Sequence, residues 1–338
     1  MNSRTRTTLA TLIAARFSVW GSMALFAASI VLPTASAQTN PGVTGDPCVS
    51  PAMISQMARE GNSVRVSPSA QLFSHPAGAR ENEKAIALTQ APDTVRTLAE
   101  ARHWFEKAAR KGYAPAQVNL AVLSLAGWGA PPNAGTALYW LREAARQEYA
   151  LADFDLGILY LHGCGVRQDA HEAFSWFERG ANAGDTAAQL NLGYLYDQGL
   201  AVTQDRAQAA LWYRKAAESG AAQAQYNLAD LYAHGEGVPL DERLAFAWYQ
   251  KAALQGHTGA RLMLGSMYAG GRGTERDLPS AYAWLSAAAL QGDHRGTPTL
   301  HALEQLLTPE QLAQSRMRAQ SLARSPNPAN PPELAFLH

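Results

Sequence analysis

The chain has 338 residues, of which 47% are apolar and 17% charged, enough for one or two globular domains with a sizeable core. Its 28 Lys and Arg cancel its 28 Asp and Glu; with no dense Lys/Arg run beyond the first residues, the electrostatic footprint of a nucleic-acid binder is missing. Two cysteines exclude a disulfide-dense scaffold and any cysteine-cluster zinc site.

Arg4, Arg6 and Arg16 precede an apolar run from Phe17 to Leu32, and Ala35-Ser36-Ala37 has the small-x-small form of a signal-peptidase site. Residues 1–37 are therefore expected to be an export signal cut after Ala37. The run is short for the roughly 20 residues that cross a bilayer, so no stable membrane insertion is expected after cleavage and the product is expected to be periplasmic or secreted. Residues 38–93 shift to Pro, Gly, Ser, Thr and Asn and read as a low-complexity, partly disordered arm. Short amphipathic pieces occur in it around Met53, Ile54 and Met57 and from Glu83 to Leu88.

From residue 94 a period takes over. Trp104, Trp140, Trp176, Trp212, Trp248 and Trp284 stand 36 residues apart. Five residues after each stands Ala109, Ala145, Ala181, Ala217, Ala253 or Ala289, and three before it Ala101, Ala137, Ala173, Ala209, Ala245 or Ala281. Such a period marks a solenoid, whose units bury their apolar faces only by stacking. Within residues 221–256, Ala224, Leu228, Leu231 and Tyr232 form one helical stripe and Ala245, Trp248, Tyr249, Ala252 and Ala253 a second. Gly235-Glu-Gly237 lies between, with equivalents at Gly127, Gly163 and Gly271, so the unit is a helical hairpin. Asn133, Asp169, Asp205, Asp241 and Asp277 are placed to cap second helices, and Gly112, Gly184, Gly220, Gly256 and Gly292 fit their left-handed ends. Trp, with Tyr or Phe, is expected to fill the space between hairpins. Residues 293–323 look like capping helices, with Thr308 and Pro309 at a helix start, and 324–338 form a Pro-rich tail.

Ala222-Gln-Ala-Gln-Tyr-Asn-Leu-Ala-Asp-Leu-Tyr-Ala-His-Gly-Glu-Gly-Val238, followed by Asp241 and Ala-Trp-Tyr-Gln-Lys-Ala-Ala253, closely resembles the Sel1-like repeat, a relative of the tetratricopeptide repeat. The resemblance covers residues 94–292, as a half-unit at 94–111 and five units of 36 residues, and implies an all-α, right-handed α-α superhelix (solenoid). The first full unit departs most, with Ser124 in place of Tyr and Glu148 in place of Gly.

The resemblance also implies a concave surface of first helices acting in protein–protein interaction. In the related family the asparagine before the Leu-Gly pair hydrogen-bonds a peptide backbone; here that column reads Asn119, Asp155, Asn191, Asn227 and Met263. An amide both donates and accepts, so such a ladder can pair a peptide main chain; equally, each can brace its own hairpin. Val118, Phe154, Leu190, Tyr226 and Leu262 precede the column, and Val122, Ile158, Tyr194, Asp230 and Ser266 stand three after it. A protein or peptide partner, or one of the chain's own flanks, is expected to lay apolar side chains on Phe154, Ile158 and Tyr194.

His162 and His234 share a repeat column, and no metalloprotease, nucleophile-elbow or phosphate-loop motif occurs. No catalytic residue, metal site or cofactor is expected. A cysteine-rich branch of the family is linked to β-lactam binding and hydrolysis, but its paired cysteines are absent here; an envelope enzyme acting on β-lactams or peptidoglycan, or a secreted effector, is the alternative. Cys48 and Cys164 can pair in an oxidising compartment, a closure of about 4 to 5 kcal/mol in the chain-entropy model, or stand as two thiols.

Overall fold

The computed structural model describes residues 76–89 and 95–324; the expectations for residues 1–75, Cys48 included, and for the tail beyond Arg324 lie outside them. Among the described residues there are fourteen α-helices, one short 3-10 turn and no strand. They run α1 (Ala79–Thr89), α2 (Val95–Arg110), α3 (Ala114–Ala126), α4 (Ala134–Ala145), α5 (Ala150–His162), α6 (Ala170–Asn182) and α7 (Thr186–Gln198). There follow α8 (Arg206–Glu218), α9 (Ala222–His234), α10 (Glu242–Leu254), α11 (Thr258–Gly270), α12 (Leu278–Leu290), α13 (Thr297–Leu306) and α14 (Pro309–Arg324). Odd-numbered helices up to α11 are first helices of hairpins, even-numbered ones up to α12 second helices. The fold is the all-α hairpin array that the period implies.

The chain divides into two compact units between Ala188 and Gln189. In the first, α1 packs on α2, α3 on α4 and α5 on α6, while α2 meets α3 and α4 meets α5. The leading helix α2 is therefore not a half-unit: α1 completes it, burying Ala85 in one cluster with Ala101, Phe105, Ala108 and Leu120. In the second unit α9 packs on α10, α11 on α12, α8 on α9 and α10 on α11. There α14 closes the array by packing on α12, with the Ser315 hydroxyl donating to the Pro279 carbonyl at 3.0 Å. Thr308 and Gln311 exchange bonds between side chain and backbone at 3.2 and 3.0 Å, a capping box that starts α14.

The hairpin turns follow from their residues. Gly163 and Gly165 sit at φ 74° and 72°, Gly235 and Gly237 at 70° and 69°, a region in which a Cβ costs about 1–2 kcal/mol. Asn133, Asp169, Asp205, Asp241 and Asp277 each accept an amide of the following first turn, as at Asp241 Oδ1 from Leu244 at 2.9 Å.

The core corrects one assignment. Of the six periodic tryptophans only Trp284 is buried; the others are half-buried at the rim. Lys215 stands over Trp212 at 3.7 Å, Lys251 over Trp248 at 3.9 Å and Arg179 over Trp176 at 4.6 Å, cations attracted to the ring faces. The residue after each tryptophan fills the centre: Phe105, Leu141, Phe177, Tyr213, Tyr249 and Leu285 are all buried. They fit because the facing first-helix position is small. A Cβ on Gly157 would come within 2.5 Å of the Phe177 ring, and one on Gly193 within 2.7 Å of Tyr213.

Successive hairpins are joined through the periodic alanines. The last-turn carbonyls of a helix lack partners of their own, and a side chain of the next hairpin supplies one. Gln117 donates to Ala109 at 3.2 Å, Gln225 to Ala217 at 3.1 Å and Arg261 Nε to Ala253 at 3.1 Å. Where Asp153 replaces the glutamine, Arg179 takes over, donating to the Ala145 carbonyl at 2.7 Å while paired with the Asp153 carboxylate. Burial raises the Asp153 pKa, and Arg179 opposes it.

Candidate functional site

The remaining face of the first helices carries the residues singled out as a binding surface, and the two units present it differently. In the first unit Asn119 is half-buried and its amide donates to Asn82 Oδ1 of α1 at 3.1 Å. This amide thus braces neighbouring first helices. Phe154, Asp155 and Ile158 are buried, as are Val118 and Val122; Phe154 lies 6.0 Å from Phe177, ring centre to ring centre. Phe154 and Ile158 are therefore not the open apolar contacts expected of them.

In the second unit Leu190, Asn191, Tyr194, Tyr226, Asn227 and Asp230 are half-exposed. Tyr226 stacks on His257 at 4.6 Å and stands 5.6 Å from Tyr249, whose hydroxyl donates to Asp230 Oδ1 at 3.0 Å. Asp230 also lies 3.6 Å from His234. His257 caps α11: its Nδ1 accepts from the Ala260 amide at 3.0 Å, which leaves Nε2–H to donate to Gln223 Oε1 at 3.0 Å. Gln223 Nε2 in turn donates to Asn227 Oδ1 at 2.8 Å. Burial, and then the Arg261 charge, push the His257 pKa down to about 4, so the imidazole is neutral at neutral pH.

This arrangement suits recognition. Both ring nitrogens of His257 are committed, and the Tyr249 pKa is raised by burial first and by Asp230 second, so neither ring is a ready proton acceptor. Two half-exposed phenol rings, Tyr194 and Tyr226, flank amides and one carboxylate. Among the described residues no group of three or more His, Cys, Asp or Glu is placed to hold a metal, and no helix is long and apolar enough to cross a membrane.

Sequence reasoning missed His257, Gln223 and Arg261. The signal for Arg261 was present, since Gln117, Asp153, Gln189, Gln225 and Arg261 stand 36 residues apart; that for His257 was not, because its column reads Tyr113, Tyr149, Asp185, Ala221 and His257. Trp128 packs on the α1–α3 cluster. Cys164 is buried and disulfide-bonded.

The Sel1 repeat model matches residues 98–113, 114–149, 150–185, 186–220, 222–257 and 259–293. Among solved structures, a Sel1 repeat protein from Oxalobacter formigenes is 32% identical over 67% of this chain and 91% of its own, with a TM-score of 0.59. The protein c5321, described as a protective antigen present in uropathogenic Escherichia coli strains and displaying an SLR fold, is 26% identical over 77% of this chain and 63% of its own, with a TM-score of 0.50. No curated protein matches.

Proposed function

The chain belongs to the Sel1 repeat family, whose members typically act as protein-interaction scaffolds, and from that membership we propose that it is an exported, non-catalytic adaptor that holds a peptide or protein domain on the first-helix face of its second unit. The carrying observation is the half-exposure there of Leu190, Asn191, Tyr194, Tyr226, Asn227 and Asp230. Tyrosine rings supply contact area at low conformational cost, the amides can pair a main chain whatever its side chains, and Asp230 adds a position for a basic group.

A photo-crosslinking residue in place of Tyr194 or Tyr226 is expected to trap one and the same protein in cells. The residue placed at Leu211 or Leu254, exposed on α8 and α10, is expected to trap none of it. Equal crosslinking from both sets of positions would overturn the reading. Export is checked on the protein recovered from cells: its mass is expected to begin at Gln38, and a chain retained in the cytoplasm from Met1 would refute that part.

A further inference from the structure

The half-exposed face of the second unit holds one pair of side chains that the repeat does not repeat. On α9, Tyr226 and Asp230 stand one turn apart and are both half-exposed, with Cβ atoms about 5–6 Å apart as for any residues four apart on a helix. At the same two positions α3, α5, α7 and α11 carry no carboxylate, as Phe154 and Ile158 or Leu262 and Ser266 illustrate. Only α9 sets an aromatic ring beside an acid. Side chains that serve the stack recur from hairpin to hairpin, so this pair answers to something other than the stack.

Its surroundings hold the pair in place and leave its charge unmatched. His257 stacks on one face of Tyr226, with 21° between the rings, so the ring meets water by its opposite face and its edge. The Tyr249 hydroxyl, donating to Oδ1, fixes the Asp230 carboxylate. Asp153, Asp197 and Asp293 each pair with an arginine of the chain, Arg179, Arg206 and Arg295. Among the described residues Asp230 has only His234 nearby, and the His234 Nδ1 donates to the Asp230 carbonyl at 2.8 Å. Arg206 is shared between Asp197 and Glu236 at 3.3 Å from each. With Arg272, whose charge is felt at Tyr249, as the other cation close by, three acids face two bases and the local balance is acidic. The chain lays its own cations on half-buried rings, Lys215 on Trp212 and Lys251 on Trp248; among the described residues none stands on Tyr226.

We propose that Tyr226 and Asp230 form the seat of one arginine side chain of the bound protein or peptide. Its guanidinium lies on the open face of the Tyr226 ring and turns its fork of N–H donors to the Asp230 carboxylate. A planar guanidinium suits this pair better than an ammonium, because it stacks on a ring and meets a carboxylate with two parallel bonds at once. The seat also fixes register. The Asn191 and Asn227 amides can pair a main chain in any register, whereas a single arginine seat selects one. The seat rests on the adaptor reading for its partner, and the two can fail separately.

The probe is the peptide acetyl-Ala-Ala-Arg-Ala-Ala-amide, beside versions with lysine and with citrulline in place of the arginine. Each is titrated into the full chain labelled with fluorotyrosine and read by fluorine NMR, the resonance lost in Tyr226→Phe identifying Tyr226. The arginine peptide is expected to shift this resonance saturably. The lysine peptide is expected to bind roughly threefold or more weakly, and the citrulline peptide, which keeps the shape without the charge, roughly tenfold more weakly. Asp230→Asn retains an acceptor for the Tyr249 hydroxyl; it is expected to weaken the arginine peptide about tenfold and to leave the citrulline peptide unchanged. Equal binding of the arginine and citrulline peptides, binding that Asp230→Asn does not alter, or no saturable shift at Tyr226 would each overturn the proposal. A protein crosslinked from Tyr194 together with any of these results keeps the adaptor and removes the arginine seat; arginine binding at Tyr226 with no crosslinked protein does the reverse.

Discussion

Arg261→Gln is expected to stabilise the protein. Gln117 and Gln225 fill the same repeat position, and each is closed by a second glutamine: Gln147 donates to Gln117 Oε1 at 2.9 Å and Gln255 to Gln225 Oε1 at 2.8 Å. Arg261 has no acceptor to offer the corresponding Gln291, whose own Oε1 accepts from Thr258 at 3.0 Å. The arginine side chain is wholly buried, and its Nη1 and Nη2 have no hydrogen-bond partner. Burial pulls its pKa from 12.5 down to about 10, and at about 1.4 kcal/mol per unit the folded state loses roughly 3 kcal/mol to keep the charge. Glutamine keeps the bond to the Ala253 carbonyl, regains the one to Gln291 and leaves a small void worth about 1 kcal/mol. The net gain is about 2 kcal/mol, or roughly 4 to 8 °C in Tm for a domain of this size. A depressed base pKa acts fully at every pH below the folded value and is relieved only as pH rises from about 10 toward the unfolded value. Urea unfolding at pH 6, 7.5 and 9 should therefore show one constant gap between variant and wild type. A less stable variant, or a gap that changes across that range, would refute the reasoning.

Glu148 and Ala201 hold φ 59° and 69° where sibling repeats place glycine, so Glu148→Gly and Ala201→Gly should each add about 1 kcal/mol in chemical denaturation. Gly237→Ala should cost more than about 2 kcal/mol, because its Cβ would fall 2.2 Å from the Arg206 carbonyl carbon. Gly220→Ala, with nothing near its Cβ, should lose only the backbone term of about 1 kcal/mol; equal losses from these two alanines would contradict the packing described. Since the folded His257 pKa is depressed from 6.5 to about 4, the unfolded chain takes up that proton first. Stability is then complete above pH 6.5 and falls by as much as about 3 kcal/mol as pH drops from 6.5 to 4. His257→Asn, which keeps a capping acceptor, should flatten that part of the pH profile.

The fold was legible because stacking imposes one set of contacts on every hairpin. The alanine, aspartate and glycine columns each answer one such demand: close approach, an unpaired amide, a left-handed turn. The tryptophan was misplaced for a physical reason. A core-facing helical stripe is wide enough to hold both i and i+1, so periodicity alone does not separate Trp212, at the rim under Lys215, from Tyr213 in the centre. Helix α1 stood outside the period because the leucine column of the first helices, Leu120, Leu156, Leu192, Leu228 and Leu264, falls on Lys84 in it; Asn82 and Ala85 take up contacts with the next hairpin.

The ligand face is hard to read for the opposite reason. Stacking constrains it less, so its columns vary, and sequence shows the address of a side chain without its exposure: Asp155 and Asn227 occupy one column, one wholly buried and the other half-exposed. What remains informative is departure from the period. In a nearest-neighbour array a residue that breaks its column without serving the stack answers to something outside it. Three such breaks fall in the first unit, Trp128 and Cys164 between turn glycines and Asp155 where three of the other repeats have asparagine, and each of the three is engaged. Of their equivalents between the glycines of the second unit, Arg272 is exposed and Glu236 is half-exposed beside Arg206 at 3.3 Å. Burial of this face in the first unit and its half-exposure in the second are both found at positions that stacking leaves free.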